Sequence, residues 1–205
     1  MRGSVEVNLD KLSQKETGYL VGCFIGDGYA NYNKKDRHYH VEFHFNSIRD
    51  VLTIRYVSAI LNTLGLRCFL HNDKRYKATR VRVNSRSLMR FLQEERSRII
   101  NASLGKEYAL GLISGFIDAE GYVGNGEILV TQRDKGTLML FKNICESLSV
   151  PTKKFWSSKN YKSKSDIWRL RISTSFKYLP HNSHKVREVY GGSALRSGVE
   201  IYSNL

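Results

Sequence analysis

Two stretches of this chain are imperfect copies of one pattern. Leu20 to Gly28 reads LVGCFIGDG and Ile113 to Gly121 reads ISGFIDAEG. Each is an apolar, glycine-containing run followed by a small residue, a carboxylate and a glycine. The carboxylates, Asp27 and Glu120, lie 93 positions apart (120 minus 27) in a chain of 205 residues. That spacing describes a protein built twice from one unit of about 100 residues. Upstream of each acid the small residues recur every four positions: Gly18, Gly22 and Gly26, then Gly111, Gly115 and Ala119. On a helix such positions form a single stripe. A glycine inside a helix costs about 1 kcal/mol relative to alanine, so the stripe needs an offsetting reason, which close backbone approach supplies. The expectation is that the two faces pack together through Gly22, Gly26, Gly115 and Ala119, and that Asp27 and Glu120 meet at the helix ends.

The rest of the chain repeats in the same order. Ser13 to Glu16 is a capping box that starts a helix near Gln14, running to about Gly26. Val41, Phe43 and Phe45 alternate with His40, Glu42 and His44, the period of a strand with one covered face. Its partner is 29–32, joined by the loop 33–37. A helix is expected from a Ser47 cap, with Asp50 at the capping-box position, to about Leu64, where Gly65 stops it. Strands follow at 67–70 and 79–83, then a short helix at 88–95 and polar linker sequence. The second half predicts a helix at 106–119, a hairpin with Asn125-Gly126 at its turn, a strand at 128–132 and a helix at 134–148. Strands at 152–157 and 167–173 come next, then helical sequence broken at Pro180. The units are placed at 1–96 and 106–205, with 97–105 as linker.

Charge narrows the partner. Lys and Arg number 33 against 19 Asp and Glu, for a net charge of +14. A folded domain so basic points to a polyanion, most often nucleic acid. The basic residues are spread along the chain, which disfavours a membrane-surface helix. The longest apolar run, Tyr108 to Ala119, is shorter than the roughly 20 residues that cross a bilayer. Cys23, Cys68 and Cys145 are isolated, with no zinc spacing, and read as reduced thiols. No secretory pattern opens the sequence, so an intracellular location, cytoplasm or nucleoid, is expected.

The motif pair, its spacing and the basic strands together resemble the LAGLIDADG homing endonucleases of the two-motif, single-chain type, similar to those encoded in archaeal introns. The resemblance covers nearly the whole chain. The first copy departs from the pattern by Ile25 where the second keeps Asp118, and by Gly26 where it keeps Ala119. It implies an α+β fold of two pseudo-symmetric αββαββα units, packed through the motif helices, with antiparallel sheets forming a DNA-binding saddle. It also implies a monomer that hydrolyses both strands of a long, non-palindromic site across the minor groove and leaves 3′ overhangs. Two or three Mg²⁺ ions would be held by Asp27 and Glu120 with the neighbouring Gly26 and Ala119, and Mn²⁺ or Ca²⁺ would substitute for binding. Gln132 and Arg133, at the end of a strand, resemble the positions that orient water and the scissile phosphate. Asn46 lies at the corresponding end in the first half, where it also fits a helix-capping role. Relatives of this type assist intron RNA folding, so the chain's own intron RNA is a second partner to consider.

The residues point the same way independently. Two carboxylates about 4 Å apart repel by roughly 4 kcal/mol at an effective dielectric of about 20, and helix C-termini add negative potential. Such a pair demands a proton or cations, and hard oxygen ligands suit Mg²⁺. Asp118 reads instead as an orienting or capping residue. A nucleic-acid surface follows from alternation: His38, His40, Glu42 and His44 share one strand face, as do Arg80 and Arg82, and Arg169 and Arg171, with Lys153 and Lys154 in the partner strand. Lys34, Lys35, Arg37, Arg75 and Lys77 lie in loops suited to phosphates, while strand-face arginines suit guanine edges.

Overall fold

The computed structural model describes residues 7–35, 38–124, 126–159, 165–173 and 184–186. The chain divides into two compact units, Met1–Glu120 and Gly121–Leu205.

The first unit opens with a single 3-10 turn, Leu9–Lys11, and then helix α1, Gln14–Asp27. The expected capping box is present: Glu16 N–H donates to Ser13 Oγ at 3.2 Å, and Ser13 N–H donates to Glu16 Oε2 at 2.8 Å. Strands β1, Gly28–Asn33, and β2, His38–Asn46, follow, then α2, Val51–Thr63. Strands β3, Phe69–Asp73, and β4, Ala78–Val83, lead into α3, Arg86–Arg98, and α4, Lys106–Glu120. The antiparallel sheet has the order β1-β2-β4-β3. Its inner face carries Val41, Phe43, Phe45, Val81 and Val83, all buried, and the core continues through Leu20, Phe24, Val57, Leu61 and Leu92.

The second unit repeats the plan after its motif helix. Strands β5, Gly121–Gly124, and β6, Glu127–Gln132, precede α5, Lys135–Ser147, then β7, Thr152–Lys159, and β8, Asp166–Ser173. The order β5-β6-β8-β7 is that of the first sheet. Its core holds Ile128, Val130, Leu138, Phe141, Leu170 and Ile172. The helical sequence expected around Pro180, like Asn125 of the hairpin and Arg37 of the first loop, lies outside the described residues. Among the described residues no helix is long and apolar enough to cross a membrane.

Several boundaries differ from the sequence expectation: strand β3 spans Phe69–Asp73, not 67–70, β7 runs on to Lys159, and two helices start or end elsewhere. The second helix begins at Val51, not at a Ser47 cap. Asn46 Oδ1 instead accepts from the N–H groups of Ile48 and Arg49, both at 3.0 Å, and Asp50 Oδ2 accepts from Asn46 N–H at 2.8 Å. With the Asn46 carbonyl accepting from Asp50 N–H at 3.1 Å, these bonds occupy the Arg49 and Asp50 donors that a Ser47 cap would take and hold 47–49 as a turn. Helix α3 is longer than 88–95. Ser85 Oγ caps it by accepting from Leu88 N–H at 3.1 Å, and Glu95 joins Arg98 at 2.7 Å one turn on.

Candidate active site and nucleic-acid interface

The two motif helices pack backbone to backbone. A Cβ placed on Gly18 would sit 2.1 Å from the Tyr108 carbonyl oxygen, and one on Gly22 2.2 Å from that of Leu112. Reciprocally, a Cβ on Gly111 would sit 2.0 Å from the Lys15 oxygen, and one on Gly115 2.1 Å from that of Tyr19. No side chain fits at any of the four. The contacts advance in the same sense along both helices, 18 with 108, 22 with 112, then 26 with 119, so α1 and α4 run parallel and end together. At that end a Cβ on Gly26 would lie 2.5 Å from Ala119 Cβ and 3.0 Å from Glu120 Cγ. The seam therefore sets Glu120 against the last turn of α1, beside the residue that precedes Asp27. This is also why α4, which belongs by sequence to the second copy, is part of the first compact unit.

Both acids close their helices and are half-buried. Neither helix has a basic residue in its last turn, and both carboxylates stand at negative dipole ends. The terminal carbonyls of a helix lack intrahelical donors and add hard oxygens to the set. Among the described residues no cluster of three or more His, Cys, Asp or Glu side chains forms a metal centre. A cation here would take the two carboxylates and complete its shell with carbonyl, water and phosphate oxygens, a donor set that fits Mg²⁺.

Asp118 is separate from this pair. It is fully buried, and Tyr19 Oη donates to its Oδ2 at 2.6 Å across the seam. Burial, with the nearby Cys23 and Asp118, pushes the Tyr19 phenol well above its ordinary value, so it stays a donor. Cys23 Sγ reaches the Gly115 carbonyl at 3.4 Å. The far end of the seam is pinned by Glu95, which accepts from Tyr108 Oη at 2.5 Å and pairs with Arg98. Burial pushes Glu95 up, but the bonds from Arg98 and Tyr108 outweigh it and hold the carboxyl below its ordinary value.

The other sequence candidates fall at distinct places. Asn46 ends β2 with its side-chain oxygen committed to the turn described above. Gln132 ends β6, and its Oε1 accepts from the Arg133 N–H at 2.7 Å; the Arg133 side chain is exposed. Lys185, which sequence reasoning missed, donates from Nζ to the carbonyl of Gly121 at 3.1 Å, the residue that follows Glu120. It lies in sequence without a periodic pattern, and only a tertiary contact marks it.

The sheet faces carry the basic residues as alternation requires. In the first sheet His44 stands opposite Arg80 and Glu42 opposite Arg82, while His38 and His40 lie further along the same face of β2. Lys34, Lys35, Arg75 and Lys77 are exposed in turns. Glu42 differs from the expected open position: it is 7% exposed and paired with its basic neighbours. In the second sheet Arg171 stands opposite Leu129 and Lys154, and Arg169 opposite Thr131 and Trp156. Lys153 occupies a register shift between Thr152 and Lys154. Gly28 opposes Phe43 as Gly121 opposes Val130, which makes Arg80 equivalent to Arg169 and Arg82 to Arg171. The arginine pair is thus repeated between units whose other outward residues differ.

Comparison with known proteins agrees with this architecture. No family model matches the sequence. An uncharacterised protein of Methanocaldococcus jannaschii is 26% identical over 180 residues, covering 80% of this chain and 64% of that protein, so this chain spans about two thirds of its relative's length. A variant of the homing endonuclease I-DmoI superposes with TM-score 0.64 at 18% identity, covering 83% of this chain and 95% of that one. I-DmoI in complex with DNA and Mn gives 0.60 at 19%, covering 78% and 90%. I-WcaI bound to its DNA recognition sequence gives 0.53 at 10%, covering 86% of each. The chain has the LAGLIDADG homing-endonuclease fold.

Proposed function

We propose that this chain is a site-specific DNA endonuclease that cuts both strands of a long, asymmetric target with the help of divalent cations. The observation that carries the reading is the interlocked glycine seam, which makes two helices parallel and ends both in a carboxylate. Asp27 and Glu120 are the cation ligands, joined by backbone oxygens near Gly26 and Ala119. A bound divalent ion would lower the pKa of the attacking water and stabilise the departing 3′ oxygen. The chain's own groups do the rest. The seam holds the acids in fixed relation, and the Tyr19–Asp118 bond ties the helices just below them. Gln132 and Arg133, and Lys185 beside Gly121, are polar and cationic groups suited to water and phosphate. The arginine and lysine faces of the sheets bind the duplex, with loop lysines on phosphate oxygens and strand arginines on base edges. Because the outward residues of the two units differ, each unit reads a different half-site. The similar folds solved with DNA, and with Mn, support this reading. One chain holding both motifs supports a monomer, and 3′ overhangs follow from cuts across a minor groove.

The test is incubation of the full chain with a randomised duplex library in Mg²⁺ and sequencing of the product ends. The reading expects one preferred asymmetric site, cut on both strands with a fixed stagger, and no products in EDTA. Sequence-independent binding with no cut products would refute it.

A further inference from the structure

The outward face of the first sheet carries an acid, Glu42, in its middle rows, a placement unlike that of a phosphate-binding surface. Register sets Tyr29, Glu42, Arg82 and Phe69 in a row across all four strands, with His44, Arg80 and His71 in the next row. The Glu42 carboxylate lies under three basic groups: His44 Nε2 at 3.5 Å, Arg82 at 3.6 Å and Arg80 at 3.9 Å. The two arginine side chains stay 42% and 38% exposed over a side chain that is 9% exposed. Together with Phe69, His71 and Asn84 they line a concavity of about 430 Å³.

A negative charge there weakens phosphate attraction, which grows with each cation that releases counterions. Affinity is therefore not what Glu42 supplies. The arginine contacts are too long for direct hydrogen bonds, which run 2.7–3.2 Å for N–H to oxygen. The carboxylate thus holds both guanidinium groups by charge without consuming their donors. A guanidinium held in one orientation can present two N–H groups to the O6 and N7 of guanine, the commonest specific contact in the major groove.

We propose that Glu42 is a positioning residue for base readout: it aims Arg80 and Arg82 at guanine edges in the half-site bound by the first unit. The inference rests on the DNA-cleaving function proposed above. The second unit supplies an internal contrast. Leu129 stands at the position equivalent to Glu42, and Arg171 is held by a different acid, Glu127, at 2.6 Å. The same arginine pair is therefore organised differently in the two halves, which assigns the guanine preference set by Glu42 to one half-site only.

The experiment compares base frequencies in sites cut from a randomised duplex library by wild type, Glu42→Gln, Glu42→Asp, Arg82→Ala and the Glu42→Gln/Arg82→Ala double variant. Wild type is expected to favour guanine at one or two neighbouring positions in one half-site. Glu42→Gln and Arg82→Ala should each reduce that preference about tenfold, leave the other half unchanged, and not add in the double variant. Glu42→Asp should retain part of the preference, because the charge stays on the same strand face. If wild type selects a site and Glu42→Gln or Arg82→Ala keeps its base preferences, or loses them evenly across both halves, the positioning role is overturned and the nuclease reading stands. If wild type cuts no library member, both fall.

Discussion

Gly22→Ala tests the seam about one turn before Gly26, close to the motif acids. The new Cβ would lie 2.2 Å from the Leu112 carbonyl oxygen, against about 3.4 Å for ordinary contact, so the helices must separate by about 1 Å. The neighbour is helix backbone and cannot rotate away. Overpacking of a core costs roughly 1–3 kcal/mol, and a rigid neighbour puts this site at the upper end, about 3 kcal/mol. Replacing a helical glycine by alanine returns about 1 kcal/mol of propensity. The net loss is about 2 kcal/mol, and at about 2–4 °C per kcal/mol for a chain of this size the melting temperature should fall by about 4–8 °C, read by circular dichroism. Gly136→Ala, in the first turn of α5, meets nothing closer than 3.6 Å and should leave the melt unchanged or raise it. Displacing the ends of α1 and α4 by about 1 Å should also slow cleavage by about 100-fold. A Gly22→Ala protein that melts at or above wild type, as helix propensity alone requires, would refute the close-packed seam.

Two further predictions concern the bonds at either end of the seam. Tyr19→Phe removes the donor to a fully buried Asp118 oxygen and should destabilise the protein by about 2 kcal/mol, lowering its urea midpoint; an unchanged midpoint contradicts the bond. Glu95 is held below its ordinary value of 4.5, so its contribution is present above that pH and lost as pH falls through the folded value. The melting-temperature gap between wild type and Glu95→Gln should be full near pH 7 and close under acid conditions, and a gap independent of pH would oppose the assignment.

Much of this architecture is legible in the sequence because the repeat is written in residue types that have few other uses. Gly18, Gly22, Gly111 and Gly115 are costly in helix interiors unless a backbone approaches, and their spacing names the partner. The alternation of Val41, Phe43 and Phe45 with His40, Glu42 and His44 identifies which face is covered. What the sequence conceals is competition and tertiary pairing. Ser47 has the form of a cap, but Asn46, one position earlier, takes the Arg49 N–H on its side chain and the Asp50 N–H on its carbonyl. The polar sequence after 95 gives no sign that the helix runs on to Arg98, or that Glu95 is anchored by Tyr108, thirteen residues away and on another helix. Alternation put Glu42 on the outward face, yet only register shows it sunk beneath two arginines.

The most direct measurement of the central claim is cleavage of the selected site, labelled on both strands, by Asp27→Asn and by Glu120→Gln in Mg²⁺, with binding measured in parallel. The account predicts that each variant binds the site as tightly as wild type or tighter, since a negative charge beside DNA is removed, and that neither makes a double-strand break. Double-strand cutting by either variant at the wild-type rate would contradict it.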